Sequence, residues 1–360
     1  MKRSTKARIL LISGLAFVVI APLFYLFVCV PGDICTRTCF SACDVINNVN
    51  FNIKPFAFES EAVDNGFHNA RAGGLLAYKD KTLYAINQFG QNSLGLYAIS
   101  KDSVEKIHSG SFVQEEKGKY HDMYPFAMYQ NSDKIYVIEN IYNVDDNFTV
   151  RKFNPSTNEL TDSGLGIETN STDIYISDKL MVWFDLKNPE KLLVKYNGKQ
   201  SVAYDKRINS FDVVDGKIYY VNDFGNLYRY DPETSENKMI NKKDKSKIRY
   251  LTPNQIICSD NYCYFITSES LISYPFDGKE EEYTYLLQED KIYSLNSYGG
   301  KVYAAAESGI YELNKSECKK ISDIKTKRIY IFDEQYIFTH DNNGHVLRLD
   351  PETGKVDEII

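Results

Sequence analysis

The chain lacks a basic face. It carries 42 Lys and Arg against 49 Asp and Glu, a formal net charge of −7 over 360 residues, and a phosphate backbone is gripped by clustered positive charge. The sequence therefore excludes nucleic acid as a partner. It contains no Gly-x-Ser-x-Gly elbow, P-loop or His-Glu-x-x-His, so the commonest nucleophile, nucleotide and zinc-protease chemistries have no footing. Cys-x-x-Cys pairs are missing too, which removes the usual thiolate metal spacing. Tryptophan occurs once, and no run of like charge is long enough to be an interaction tail.

What the chain has in quantity is 28 Tyr and 20 Phe. Flat rings pack on pleated surfaces, so this density favours strands; a carbohydrate-stacking surface is the functional alternative. Residues 213–240 show the arrangement, reading as four strands joined by tight turns. Asp215-Gly216 sits between β-branched and aromatic runs, a strong signal for a two-residue hairpin, because glycine supplies the positive φ of a type I′ turn. Versions of this unit recur. Taking the residue after each first hairpin turn gives Lys81, Lys134, Lys179, Lys217, Tyr262, Lys301 and Gln335, at intervals of 53, 45, 38, 45, 39 and 34. The mean of about 42 is the period of four-stranded propeller blades.

The exit turn repeats as well. Leu227-Tyr228-Arg229-Tyr230-Asp231-Pro232-Glu233-Thr234 matches Val346-Leu347-Arg348-Leu349-Asp350-Pro351-Glu352-Thr353. Proline presets φ at the turn, and the preceding Asp can bond the turn backbone. The expected fold is all-β, a seven-bladed β-propeller over residues 73–360, or six-bladed if residues 142–172 are an insertion. Closing the ring buries faces that no single blade can bury alone. Residues 356–360 already supply the last blade's fourth strand, so closure is expected to rest on packing between the first and last blades.

This formula of strand, Asp-Gly-Lys, strand, Gly-Asn and Leu-Tyr-x-x-Asp-Pro-x-Thr resembles the bacterial propellers with pyrroloquinoline-quinone-like repeats. It is also similar to the lipoprotein-receptor-like propeller domains of bacterial surfaces, a family of unknown function. The resemblance implies a surface-exposed propeller. The tryptophan that ends quinoprotein repeats is absent, with Ile240 and Ile359 near its place, which favours the non-enzymatic relatives.

Ahead of the repeats, Lys2, Arg3, Lys6 and Arg8 precede an uninterrupted apolar run over residues 9–30. At about 1.5 Å per residue this spans the roughly 30 Å hydrocarbon core. The reading is a cytoplasmic basic tail (1–8), a single transmembrane helix (9–30), a juxtamembrane stalk or linker (31–72) and an extracytoplasmic propeller, oriented by the basic end. A cleaved signal peptide and a lipoprotein signal are the alternatives; the run exceeds the roughly 7–15 residues of a signal's apolar region.

Cys258 and Cys263 flank a hairpin turn that places them opposite each other, within disulfide range. A bridge is expected there, as an oxidising compartment permits. Cys35, Cys39 and Cys43 follow the membrane run and suit juxtamembrane disulfides, including links between chains in an oligomer. Cys318 is read as a buried sheet residue.

Propeller ligands commonly bind on the rim where first strands begin, a fold-level analogy. Six residues past each marker come Asn87, Asn140, Asp185, Asp223, Ser268, Glu307 and Asp341. This polar ring suits a cation such as Ca²⁺, or a polar ligand, through oxygen ligands; turn-forming polar residues are the simpler account. Arg71, Arg207, Arg249, Lys291 and Arg328, entering first strands, lie near the same rim, and their charge favours a polar or sugar ligand over a bare metal. His340 precedes Asp341 in the ring. The expected function is a membrane-anchored, extracytoplasmic, non-catalytic module that binds a protein or glycan. The alternative is a lactonase- or quinoprotein-like enzyme using a cation at the acidic rim.

Overall fold

The computed structural model describes residues 65–87, 95–108, 111–116, 119–131, 134–141, 148–169, 171–188, 191–204, 208–222, 226–240, 255–259, 261–267, 270–275, 284–333, 335–340 and 346–358. Their strands form seven antiparallel sheets, over residues 76–108, 111–169, 174–204, 208–239, 255–288, 292–322 and 329–358. These are the blades of a seven-bladed β-propeller, numbered here in chain order.

Turn chemistry sets the meander. In blade 4, Asp215 and Gly216 have φ of 49° and 71°, the two positive values a type I′ turn requires, and Val214 pairs with Lys217 across it. At the exit turn, Asp231 Oδ1 accepts the Glu233 and Thr234 N–H groups at 2.9 and 3.4 Å. Asp350 does the same for Glu352 and Thr353 at 2.8 and 3.1 Å. Blade 7 is completed by Val356–Glu358 as its outer strand. The ring therefore closes through side chains: Leu76, Tyr78, Leu83 and Ile86 of blade 1 share one core cluster with Tyr330, Phe332 and Phe338 of blade 7.

The core lies between blades. Ile240, near the expected docking-tryptophan position, packs into the cluster that joins Tyr219 and Leu227 of blade 4 to Ile256, Cys258 and Phe265 of blade 5. Fully burying such a side chain contributes about 1.5–3 kcal/mol, and each blade does so on both faces.

Two features depart from the sequence reading. The extra length is not an insertion at 142–172, where Phe148–Asn154 and Glu159–Asp162 serve as ordinary outer strands of blade 2. It is a hairpin ahead of that blade. The 13-residue strand Lys119–Asn131 pairs first with Ser111–Glu116 and then with Lys134–Ile141, which accounts for the long first interval between repeats. The second departure is a helix at Gly66–Arg71, in the segment read as stalk.

Cys258 and Cys263 face each other in register, and the structure joins them by a disulfide with Cα atoms 4.1 Å apart. Cys318 is a half-buried free thiol in the outer strand of blade 6, pushed up to about 11 by burial and by Asp290. Closing so short a loop stabilises by about 2 kcal/mol through the unfolded chain. A Cys258→Ala/Cys263→Ala variant is accordingly expected to unfold at lower urea with the slope nearly unchanged, and equal midpoints would refute the bridge's contribution. The membrane run 9–30 and Cys35, Cys39 and Cys43 lie outside the described residues. Among those described, no helix is long and apolar enough to cross a membrane.

Candidate binding site at the channel mouth

The helix Gly66–Arg71 fills the channel that the seven inner strands surround. With six residues and no side-chain N-cap it is too short to persist alone, so its surroundings must hold it. Gly66 makes the approach: a β-carbon there would overlap the Gln130 carbonyl of blade 2. Phe67 stacks on Phe211 of blade 4 at 5.4 Å between ring centroids and meets Tyr175 of blade 3 edge-on at 5.3 Å.

The polar side of the helix reaches the other blades. Asn65 Nδ2 donates to Asn296 Oδ1 of blade 6 at 2.9 Å, and Asn296 Nδ2 donates to Asn69 Oδ1 at 2.9 Å and to the Ile329 carbonyl at 2.7 Å. The Asn69 amide then pairs with both backbone groups of Ile331 in blade 7, at 2.9 and 2.8 Å. His68 Nε2 donates to Asp212 Oδ1 of blade 4 at 3.0 Å, while Nδ1 lies 3.1 Å from the Ser297 hydroxyl and carbonyl oxygens. Arg71 donates to the Ile256 carbonyl and to Ser210 Oγ, both at 2.6 Å.

Inner strands of neighbouring blades are bridged by side chains in the same way. Asp212 Oδ2 accepts the Cys258 N–H at 2.6 Å, and Ser210 Oγ accepts the Ile256 N–H at 3.1 Å. Gln255 pairs with the Leu295 N–H and carbonyl at 2.8 and 3.2 Å. These bonds satisfy inner-edge backbone groups that would otherwise be buried without partners. Asp212 has no exposed surface. Burial pushes its carboxyl up, but His68, Arg71 and the Cys258 N–H together outweigh burial and hold it below the usual carboxylate range.

At the C-terminal end of the helix, where inner strands begin, the channel opens into a pocket of about 170 Å³. Arg71, Asp173, Gln255, Ser294, Lys327 and Arg328 line it, so the helix, the inner strands of blades 5 and 6 and the segments entering blades 3 and 7 contribute. Arg71 Nε stands 3.8 Å from Asp173 Oδ1, with the arginine side chain 1% and the aspartate 24% exposed. Burial raises the Asp173 carboxyl and Arg71 partly pulls it back. Lys327 and Lys291 lie over the Tyr293 ring at 5.7 and 5.2 Å. Three cationic side chains thus converge with one carboxylate.

No protein-family model matches the chain, and no curated protein does. Solved structures match its fold. The extracellular domain of BT4673 from B. thetaiotaomicron is 16% identical over 80% of this chain, with a TM-score of 0.51, and this chain spans 40% of that one. BamB from Moraxella catarrhalis is 8% identical over 81% of this chain and 99% of its own, with a TM-score of 0.49. At 16% identity the likeness to the BT4673 domain shows the fold alone.

Of the expected site residues, Arg71 is in the pocket, carried there by the helix rather than by a loop at the rim, and Arg328 joins it. Asp185 and Glu307 follow second strands on the mouth side, bonded through their N–H groups to the Lys191 and Lys291 carbonyls at 3.0 and 2.9 Å. Neither lines the pocket. Asp185 Oδ1 takes the Lys187 N–H of its own turn at 3.2 Å, and Glu307 is exposed. Asn222 acts similarly, buried and accepting the Asn226 N–H at 3.0 Å. Asn87 and His340 end the second strands of blades 1 and 7, and Asn140 is the penultimate residue of the second strand of blade 2. Arg207, Asp223, Arg249, Ser268 and Asp341 lie outside the described residues. Among the described residues no cluster of His, Cys, Asp and Glu could hold a metal. The cationic lining of the pocket also opposes a bound Ca²⁺ there.

Sequence reasoning missed His68, Asp173, Asp212, Ser294 and Lys327. One signal was available: Asp212 pairs across its hairpin with Tyr219 as Asn296 does with Tyr303, so polar residues occupy equivalent inner-strand positions in two repeats. A polar side chain on a strand otherwise buried marks the channel.

Proposed function

We propose that this chain is a membrane-tethered, extracytoplasmic binding module that docks a protein or glycan on its mouth face and performs no reaction. The observation that carries the reading is the channel itself: its own helix plugs it, so the mouth is a blind pocket with convergent polar and charged groups, the form that ligand sites take. The basic segment and apolar run at residues 2–30 support the tether and the orientation. The extracellular propeller of BT4673 has the same fold, which is in keeping with a place outside the membrane.

In-cell photocrosslinking from single sites on the full chain tests this. Probes at Lys291 or Glu307 are expected to capture a defined partner. A probe at Lys217, beyond the opposite turn, is expected to capture none. Capture from Lys217 alone, or from no site, would sink the assignment of the mouth as the binding face.

A further inference from the structure

Ser210 and Ser294 occupy the same place in their repeats. Each follows the register shift of its inner strand, and each stands two residues before the side chain that reaches the channel helix, Asp212 in blade 4 and Asn296 in blade 6. Their partners differ. Ser210 Oγ accepts the Ile256 N–H at 3.1 Å and an Arg71 N–H at 2.6 Å. Ser294 is 4% exposed and lines the pocket, and its buried Oγ has no hydrogen-bond partner. Period-two alternation puts it on the strand face of Asn296, toward the channel. Buried hydroxyls are almost always paired, so an orphan hydroxyl on a pocket wall points to a ligand group. Asp173 is a second group of this kind. Its carboxylate accepts no hydrogen bond from any described residue and meets Arg71 Nε only at 3.8 Å. The other polar groups nearby are committed. Arg71 bonds the Ile256 carbonyl and Ser210 through its terminal nitrogens, with Asp212 and Asp173 offsetting its charge, and Gln255 bonds Leu295 at both ends of its amide. Ala72, Ile266, Ile292 and Tyr293 complete a largely apolar wall.

We infer that the pocket takes one neutral pyranose ring, free or at the end of a glycan, with the Asp173 carboxylate accepting its hydroxyls and Ser294 Oγ bonding another. This rests on the mouth being the binding face. An ionised carboxylate only accepts hydrogen bonds and has two oxygens to do so, which adjacent sugar hydroxyls satisfy together. Ser294 Oγ both donates and accepts, so it suits a hydroxyl in either role. Like charges repel strongly where the dielectric is low. An anionic ligand would meet Asp173 and a cationic one Arg71, and the pair therefore selects for a neutral ligand. A pyranose shows C–H surface as well as hydroxyls, matching an apolar wall with a few convergent polar groups. The volume of about 170 Å³ is on the scale of the roughly 150 Å³ cavity known to hold benzene, so it admits a single ring.

The test is calorimetric titration of the full chain in detergent micelles with the methyl glycosides of glucose, galactose and mannose, the fully O-methylated form of whichever binds, and a neutral oligosaccharide ending in that sugar. At least one methyl glycoside is expected to bind, and its O-methylated form, which keeps the ring and loses every donor, at least tenfold more weakly. Asp173→Asn and Ser294→Ala are expected to weaken binding about tenfold and Lys217→Ala to leave it unchanged. Ser294→Ala is also expected to keep or raise the wild-type urea midpoint, because its hydroxyl has no protein partner to lose. A midpoint well below wild type would show that the hydroxyl serves the fold and would overturn its assignment to a ligand. The inference is equally overturned by absence of glycoside binding at millimolar concentration, by equal binding of the O-methylated sugar, or by wild-type affinity in either pocket variant. Binding of the oligosaccharide at least as tight as that of the methyl glycoside assigns the ring to the end of a glycan; weaker binding assigns it to the free sugar. Mouth-face crosslinking in cells without sugar binding would leave the binding module standing and remove only this ligand.

Discussion

Replacing Asp212 by alanine is expected to lower the free energy of unfolding by about 3–5 kcal/mol, the cost of breaking a buried ionic network from one side. The carboxylate is fully buried and receives His68 Nε2 at 3.0 Å and the Cys258 N–H at 2.6 Å. Arg71 adds to its charge stabilisation. Without it, Arg71 and a backbone donor remain buried while the helix loses the His68 bond to blade 4. The pH dependence has a definite sign. Because the folded state holds the Asp212 carboxyl below the unfolded value of about 3.9, its contribution is fully present above about pH 4 and is lost as pH falls through the lower folded value. Urea midpoints of wild type and Asp212→Ala should therefore converge on acidification below pH 4. A gap that stays constant to pH 2 would show that the ionised carboxylate is not what holds the network.

Gly66→Ala is expected to cost about 3 kcal/mol, the upper range for forcing an extra carbon into a packed site. The added β-carbon would overlap the Gln130 carbonyl. That obstacle is backbone in a paired strand, so no rotamer change relieves it, and the helix must lift from blade 2. Lifting breaks the Asn65–Asn296–Asn69 chain and the pairing of Asn69 with Ile331. Amide exchange should consequently quicken at Ile331 in blade 7, remote from the substitution, and the unfolding midpoint should fall. Wild-type protection at Ile331 would show that the helix does not brace the ring. The same displacement would move Arg71 out of the pocket, so the variant also asks whether the plug builds the site.

The blades were legible because their signals are local. Asp215-Gly216 and Asp231-Pro232-Glu233-Thr234 specify turns through φ and through bonds within a few residues, and the interval between copies carries the repeat. The helix was illegible for the opposite reason. Gly66-Phe67-His68-Asn69-Ala70-Arg71 has neither a cap nor enough length to announce itself, and its hydrogen bonds run to residues more than a hundred positions away, such as Asp212 and Asn296. Asp185 and Glu307 do lie on the mouth side of the ring, but Asp185 bonds its own turn and Glu307 is exposed, so neither lines the cavity.

By itself, then, the sequence determined the β-propeller, its turns and the face on which inner strands begin, since these depend on backbone propensity and on a period that every blade repeats. Only the tertiary structure decided what occupies the channel and which charges meet at its mouth. Ser294 shares its repeat position with Ser210, but Arg71 comes from the helix and Asp173, Lys327 and Arg328 from the segments entering blades 3 and 7; these residues become neighbours only when the ring closes around a helix that the ring itself stabilises.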